Sequence, residues 1–153
     1  MSLEEELKQS KFNSEHQKAL VNLLFTGSWL SGQNKSYFKK FNISPEQFNV
    51  LRILRGSHPK PMRLADIADR MIEKNSNCTR LVEKLKQKKL ADRQLCESNR
   101  RQVDISITPK GLKLLENIDN DNDQLFSFQK SISKSEAEEL NRILDKLRDS
   151  IDH

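Results

Sequence analysis

Cysteine and histidine are scarce in this chain of 153 residues, which holds two of the first and three of the second. Cys78 and Cys96 are too few and too far apart for a disulfide framework. Together with His16, His58 and His153 they show no metal-ligand spacing, so no metal is expected. The four glycines are dispersed and build no phosphate-cradling loop, and no serine or cysteine stands in a nucleophile's setting. An enzyme is therefore the weakest function class, and no cofactor is expected. No apolar run approaches the roughly 18 residues of a membrane-crossing helix. The start, Met1-Ser2-Leu3-Glu4-Glu5-Glu6, is acidic and lacks the apolar core of a secretion signal. These absences point to a cytoplasmic protein without a membrane partner.

Charge is what the chain has in quantity. Charged residues make up 32% and hydrophobic residues 35%, a lean ratio for a compact monomer. It suits a helical protein that buries further surface in a dimer. The net charge is +5, but it is unevenly spread. From Lys60 to Lys113 fourteen basic residues oppose seven acidic ones, a local charge of +7, so the rest of the chain carries −2. A positive field confined to one segment is what a polyanion-binding surface needs. A merely solvated basic face has the same counts, and the pattern within the segment separates the two readings.

That pattern begins after Arg63. Leu64, Ile67, Ala68 and Met71 fall three and four apart and share one face of a short helix, with Ala65 and Ala68 small enough for a close neighbour. After a break at Ile72-Glu73-Lys74-Asn75 the period restarts with Cys78, Leu81, Val82 and Leu85. This second helix, expected from Asn75 to Lys89, carries Lys74, Asn75, Ser76, Asn77, Thr79, Arg80, Lys84 and Lys88 on its outward side. Two short helices, the second polar and basic outside, read as a helix-turn-helix. Asparagine suits adenine and arginine suits guanine, so Asn77 and Arg80 are the expected base or backbone contacts. Lys84 and Lys88, further along, suit phosphate. An internal ion pair from Arg80 to Glu83 or Asp66 is the competing expectation.

Two alternating segments follow. Leu90 to Cys96 places Asp92 outward and Leu95 inward, and Gln102 to Ile107 places Val103, Ile105 and Ile107 on one side. The turn between them, Glu97-Ser98-Asn99-Arg100-Arg101, makes a basic hairpin, or wing. Asn99, Arg100 and Arg101 are positioned to probe a narrow minor groove.

The flanks are helical. From about Phe12 to Phe41 a long segment repeats Leu20, Leu23, Leu24, Gly27, Leu30 and Ser31, joined by Phe25, Trp29, Tyr37, Phe38 and Phe41. Ser44-Pro45-Glu46-Gln47 is a capping-box start, Phe48, Leu51 and Leu54 form a stripe, and Gly56 is expected to end that helix as a left-handed cap. Thr108-Pro109 opens another helix through Leu112, Leu115 and Ile118, with a possible extension to Leu125, Phe126 and Phe128 across the polar run Asp119-Asn120-Asp121-Asn122-Asp123. Ser133-Lys134-Ser135-Glu136 is a third capping box, and Leu140, Ile143, Leu144, Leu147 and Ile151 then make a narrow stripe. A terminal amphipathic helix has little core left to cover, so the first and last helices are assigned to dimerisation.

Four stretches in this order carry a family resemblance: Ser44-Pro45-Glu46-Gln47-Phe48-Asn49-Val50-Leu51, Leu64-Ala65-Asp66-Ile67-Ala68, Thr79-Arg80-Leu81-Val82-Glu83-Lys84-Leu85 and Ile107-Thr108-Pro109-Lys110-Gly111. Through them the chain resembles the MarR family of bacterial transcriptional regulators, from about Ile43 to Leu115. It departs from the family pattern twice. Asn99 stands where an acidic residue usually opens the wing signature, and Lys89 stands where a glycine usually follows the recognition helix. The resemblance implies a dimer, and a small aromatic effector bound in a pocket for which Phe25, Trp29, Phe48 and His58 are the candidates. Some relatives sense oxidants through a thiol in the first long helix; this chain has none there, and Cys78 and Cys96 read as buried, inert thiols.

The expected fold is mainly α with a small β wing, a winged helix-turn-helix with long N- and C-terminal dimerisation helices. Residues 1–42 form the N-terminal dimerisation helix region, 43–109 the winged helix-turn-helix, and 110–153 the C-terminal dimerisation helices, within one structural domain overall. The expected function is a homodimeric transcriptional regulator, a repressor that binds a near-palindromic operator in double-stranded DNA and is modulated by a small-molecule effector. The alternatives are a winged-helix protein-interaction module without operator binding, and a thiol-based redox-sensing regulator.

Overall fold

The computed structural model describes residues 1–99, 101–121 and 130–151. The chain divides into two units, Met1–Asn120 and Asp121–His153. The first holds α1 (Leu3–Leu7), α2 (Glu15–Lys39), α3 (Pro45–Ser57), β1 (Met62–Arg63), α4 (Leu64–Arg70), α5 (Cys78–Gln87), β2 (Ala91–Leu95), β3 (Val103–Ile107) and α6 (Pro109–Asp119). The second holds α7 (Lys134–Ile151). Among the described residues no helix is long and apolar enough to cross a membrane.

Helix α3 is the centre of the first unit. Ser44 Oγ accepts from the Gln47 amide at 3.1 Å and Gln47 Oε1 accepts from the Ser44 amide at 3.3 Å, so both orphan donors of the first turn are met. Val50, Leu51 and Leu54 are fully buried, and α2, α4, α5, α6 and β3 all pack on this helix. Each such side chain contributes about 1.5–3 kcal/mol by leaving water. The C-terminal end of α2 closes one side through buried Tyr37 and Phe38, with the Phe38 ring stacked on Phe48 at 4.3 Å. Gly56 does not end α3. It lies inside the helix, no glycine takes a positive φ among the described residues, and the stop comes at His58 (φ −54°, ψ 136°). The residue before a proline is driven out of the helical region, so Pro59 terminates the helix where a glycine cap was expected.

Three antiparallel strands lie in the order β1-β3-β2, with Met62 opposite Ile105 and Ala91 opposite Ile107. Ile105 and Ile107 point into the core as their alternation predicts. Leu95 does not turn inward: it is 66% exposed, because β2 leaves the core after buried Ala91 and runs out as the wing.

The turn after α5 joins these layers. The Leu90 amide donates to the Leu85 carbonyl and the Lys89 amide to Lys86, both at 2.9 Å, which is the Schellman arrangement. Lys89 takes φ 61° there, a left-handed conformation that favours glycine. Thr108 Oγ1 donates to the Lys89 carbonyl at 2.7 Å and accepts from the Gly111 amide at 3.0 Å. A Cβ on Gly111 would collide with the Leu90 carbonyl oxygen and lie 2.7 Å from Ile107 Cγ1. The run Thr108-Pro109-Lys110-Gly111 thus docks the start of α6 on the end of α5. Because α6 also buries Leu115 and Ile118, it belongs with the winged-helix core.

In the second unit, Ser133 and Glu136 form the expected capping box, with Ser133 Oγ accepting from the Glu136 amide at 3.2 Å and the Glu136 carboxylate accepting from the Ser133 amide at 2.7 Å. These bonds hold the Glu136 carboxyl below its ordinary range. No described residue of α7 is buried, and Leu140, Ile143, Leu147 and Ile151 are exposed along one side. α6 ends at Asp119, and the expected extension through Leu125, Phe126 and Phe128 lies outside the described residues.

The junction makes two opposite predictions, both read from urea unfolding midpoints. Gly111→Ala should lower stability by about 2 kcal/mol or more, since the neighbour it meets is backbone. Lys89→Gly should raise it by about 0.5–1 kcal/mol by relieving left-handed strain. A neutral Gly111→Ala would show that α6 does not sit against Leu90.

Candidate nucleic-acid interface

Helix α5 has two faces. Cys78, Val82 and Leu85 are buried against the core, and that stripe turns Thr79, Arg80 and Lys84 to solvent. The internal ion pair expected as the alternative for Arg80 does not form. Glu83 faces Arg93 of β2 at 3.7 Å and Asp66 faces Arg63 at 3.1 Å, so both candidate acids have other partners. The Arg63 hydrogen bond holds the Asp66 carboxyl below its usual range and raises Arg63 in turn. Among the described residues neither Arg80 nor Lys84 has a salt bridge. The first turn of α5 carries no acid, so its positive end is open to an anion.

The residues before the helix differ from expectation. α5 starts at Cys78, which puts Asn75, Ser76 and Asn77 ahead of it rather than in its first turns. Asn77 is the N-cap and its Oδ1 accepts from the Arg80 amide at 3.1 Å, which commits one of the oxygen's two lone pairs to the helix start. Ser76 is half-buried, and its Oγ has no hydrogen-bond partner among the described residues. Asn75 is exposed, with its backbone amide 3.4 Å from Glu73 Oε1, and the Lys74 ammonium donates to the Asp69 carbonyl. Asn49 Oδ1 of α3 accepts from the Ile72 amide at 2.9 Å and fixes the connection between α4 and α5.

Lys88 leaves the outward set altogether. Its ammonium donates to the Asn42 carbonyl at 2.6 Å and to Gln47 Oε1 at 2.9 Å, pinning the end of α5 to the start of α3. Burial, with Lys84 nearby, lowers its pKa. The spacing placed its Cα on the basic face, but the long stem folds back. Sequence reasoning missed this clamp, whose acceptor is the same Gln47 oxygen that closes the α3 capping box.

In the wing, the Cys96 amide donates to the Gln102 carbonyl at 2.9 Å and the Gln102 amide to Asn99 at 2.9 Å. Asn99 Oδ1 accepts from the Arg101 amide at 3.1 Å, so the residue that replaces the family's acid is used to shape the turn. Arg101 is exposed, and Arg100 lies outside the described residues. Cys96 is half-buried rather than buried, with Sγ 3.2 Å from Ser98 Oγ.

Of the effector candidates, Phe25 and Trp29 lie one turn apart on α2, Phe25 half-buried. Phe48 gives its face to Phe38, His58 terminates α3, and Trp29 is 53% exposed about 13 Å along the α2 axis before Phe38. Two surface depressions of about 350 and 340 Å³ are lined by other residues.

With this geometry the known proteins agree. Residues 43–103 match the MarR family. Over 151 residues the chain is 29% identical to the HTH-type transcriptional regulator MgrA of Staphylococcus aureus, covering 99% of this chain and 93% of that protein. It is similar to the crystal structure of a MarR transcription factor from Planctomyces limnophilus, at 32% identity and TM-score 0.67, covering 88% of this chain and 98% of that one. The fold is also that of the S. aureus MepR–DNA complex, at 21% identity and TM-score 0.72, over 92% of this chain and 99% of that one.

The two thiols should react unequally. Burial raises the Cys78 thiol, which reduces its thiolate fraction as well as its access. At pH 8, mass spectrometry after iodoacetamide treatment should show Cys96 alkylated at least about tenfold faster than Cys78. Equal rates would mean that α5 opens readily in solution.

Proposed function

The chain belongs to the MarR family of transcriptional regulators, and on that premise we propose that it is a homodimeric repressor of a near-palindromic operator in double-stranded DNA. Thr79 and Arg80 read base edges in the major groove, Lys84 lies on phosphate, and Arg101 with Arg100 and Asn99 follows the minor groove. Two such heads related by a dyad meet half-sites about one helical turn, roughly 10 base pairs, apart. DNA affinity is tuned by a small molecule that binds one spacing of the heads better than another.

The observation that carries this reading is the exposed Arg80 and Lys84 on α5, which among the described residues have no salt bridge, on the face opposite the fully buried Val82 and Leu85. Asp66 and Glu83, the acids that could have neutralised Arg80, are engaged by Arg63 and Arg93 instead. MepR, which shares the fold, has been crystallised with DNA. Support for a dimer comes from apolar side chains left in water: Leu20, Leu24 and Trp29 on α2, and the Leu140, Ile143, Leu147 and Ile151 stripe on α7.

An electrophoretic mobility assay with the chain's own upstream DNA tests the reading. Retardation is expected at low salt and falls steeply as salt rises. Arg80→Ala should cost about 1–3 kcal/mol and relax the preference at one position, whereas Lys84→Ala should weaken all sequences alike and reduce the salt slope by about 1. The absence of any retardation up to micromolar protein would refute DNA binding. Ile143→Glu with Leu147→Glu should yield monomers in sedimentation, and an unchanged dimer would remove α7 from the interface.

A further inference from the structure

A cavity of about 340 Å³ opens where α2, α5 and α6 approach one another, away from the outward face of α5. Phe41, Leu90 and Leu114 supply apolar lining, and Lys88, Lys110 and Lys113 line it as well. Among the described residues no carboxylate lines it. Lys113 faces Glu116 at 3.4 Å, but among the described residues Lys88 and Lys110 have no acidic partner. Their bonds go to neutral oxygens: Lys88 to the Asn42 carbonyl and Gln47 Oε1, Lys110 to the Lys88 carbonyl at 3.1 Å. Neutral acceptors orient an ammonium without cancelling its charge, and each ammonium has three donors, so one remains on Lys88 and two on Lys110.

We propose that this pocket binds a small phosphomonoester carrying a compact apolar body. A monoester at neutral pH is close to a dianion with three strong acceptor oxygens, which matches a site lined by three lysines better than a carboxylate's single charge. The apolar wall takes the body, and the concave site favours a terminal phosphate over the diester of a duplex backbone. Burial and the proximity of Lys84 disfavour the charged form of Lys88, and an anion in the pocket relieves both. The ligand would bridge the end of α5, the end of α2 and the first turns of α6. Its use as an effector rests on the regulator reading above; its occupancy does not.

The test is isothermal titration calorimetry of the full chain with phenyl phosphate, inorganic phosphate, benzoate and phenol, at ionic strength fixed with sodium chloride. Phenyl phosphate should bind saturably at one site per chain, inorganic phosphate more weakly, benzoate more weakly still, and phenol not at all. Lys110→Gln with Lys113→Gln, both at exposed positions, should weaken phenyl phosphate by about tenfold or more. Lys110→Arg with Lys113→Arg should keep the affinity within a few-fold, which separates lost charge from lost fold. No saturable heat well into the millimolar range, or equal affinity in the glutamine variant, would overturn the site. Benzoate binding as tightly as phenyl phosphate would overturn the phosphomonoester assignment. A fall in operator affinity and salt slope in the ligand-free glutamine variant would mean that the lysines follow DNA, and would also overturn it.

Discussion

The rotational setting of α5 is the constraint on which the rest depends. Val82 and Leu85 have essentially no exposed surface, and they share one core with Val50, Leu51 and Leu54 of α3, on which α5 packs. Turning the helix by one residue would drive Arg80 or Lys84 into that core. An unpaired charge there costs several kcal/mol, far more than any outward contact returns. The basic face is therefore displayed by what lies behind it. Both ends of the helix reinforce the setting, Asn77 by capping the start and the Lys89 turn by tying the end to Thr108 and Gly111.

The cations of this segment consequently fall into different roles. Arg80, Lys84 and Arg101 stand in water without acidic partners among the described residues. Arg63 and Arg93 are matched to Asp66 and Glu83 and belong to the scaffold. Lys88 is a structural pin, and with Lys110 it leaves positive charge at a second place on the surface. Net charge alone hides this sorting, because a bond to a neutral oxygen and a bond to a carboxylate leave very different fields outside the molecule.

Much of this was legible in the residues. The three-and-four spacing of Leu64, Ile67 and Met71, and of Cys78, Val82 and Leu85, marks the inner faces of both helices, although the second begins at Cys78 and not at Asn75. The capping boxes at Ser44 and Ser133 formed as written. What was not legible has physical causes. Asparagine suits both a helix cap and a base edge, and only geometry shows that Asn77 spends its oxygen on the cap. A lysine's four-carbon stem lets its charge travel far from its Cα, so periodicity could not reveal that Lys88 turns inward. β1 has two residues, too few for alternation to register, and Leu95 alternates correctly on a strand that has already left the core.

Nuclear magnetic resonance titration with an upstream duplex tests the central claim most directly, since it reports which residues meet the nucleic acid. The account predicts that the strongest amide and side-chain shifts fall on Thr79, Arg80, Lys84 and Arg101, while Val82, Leu85 and Lys88 move little. Shifts concentrated on Lys88, Lys110 and Lys113, with α5's outward residues unchanged, would contradict it.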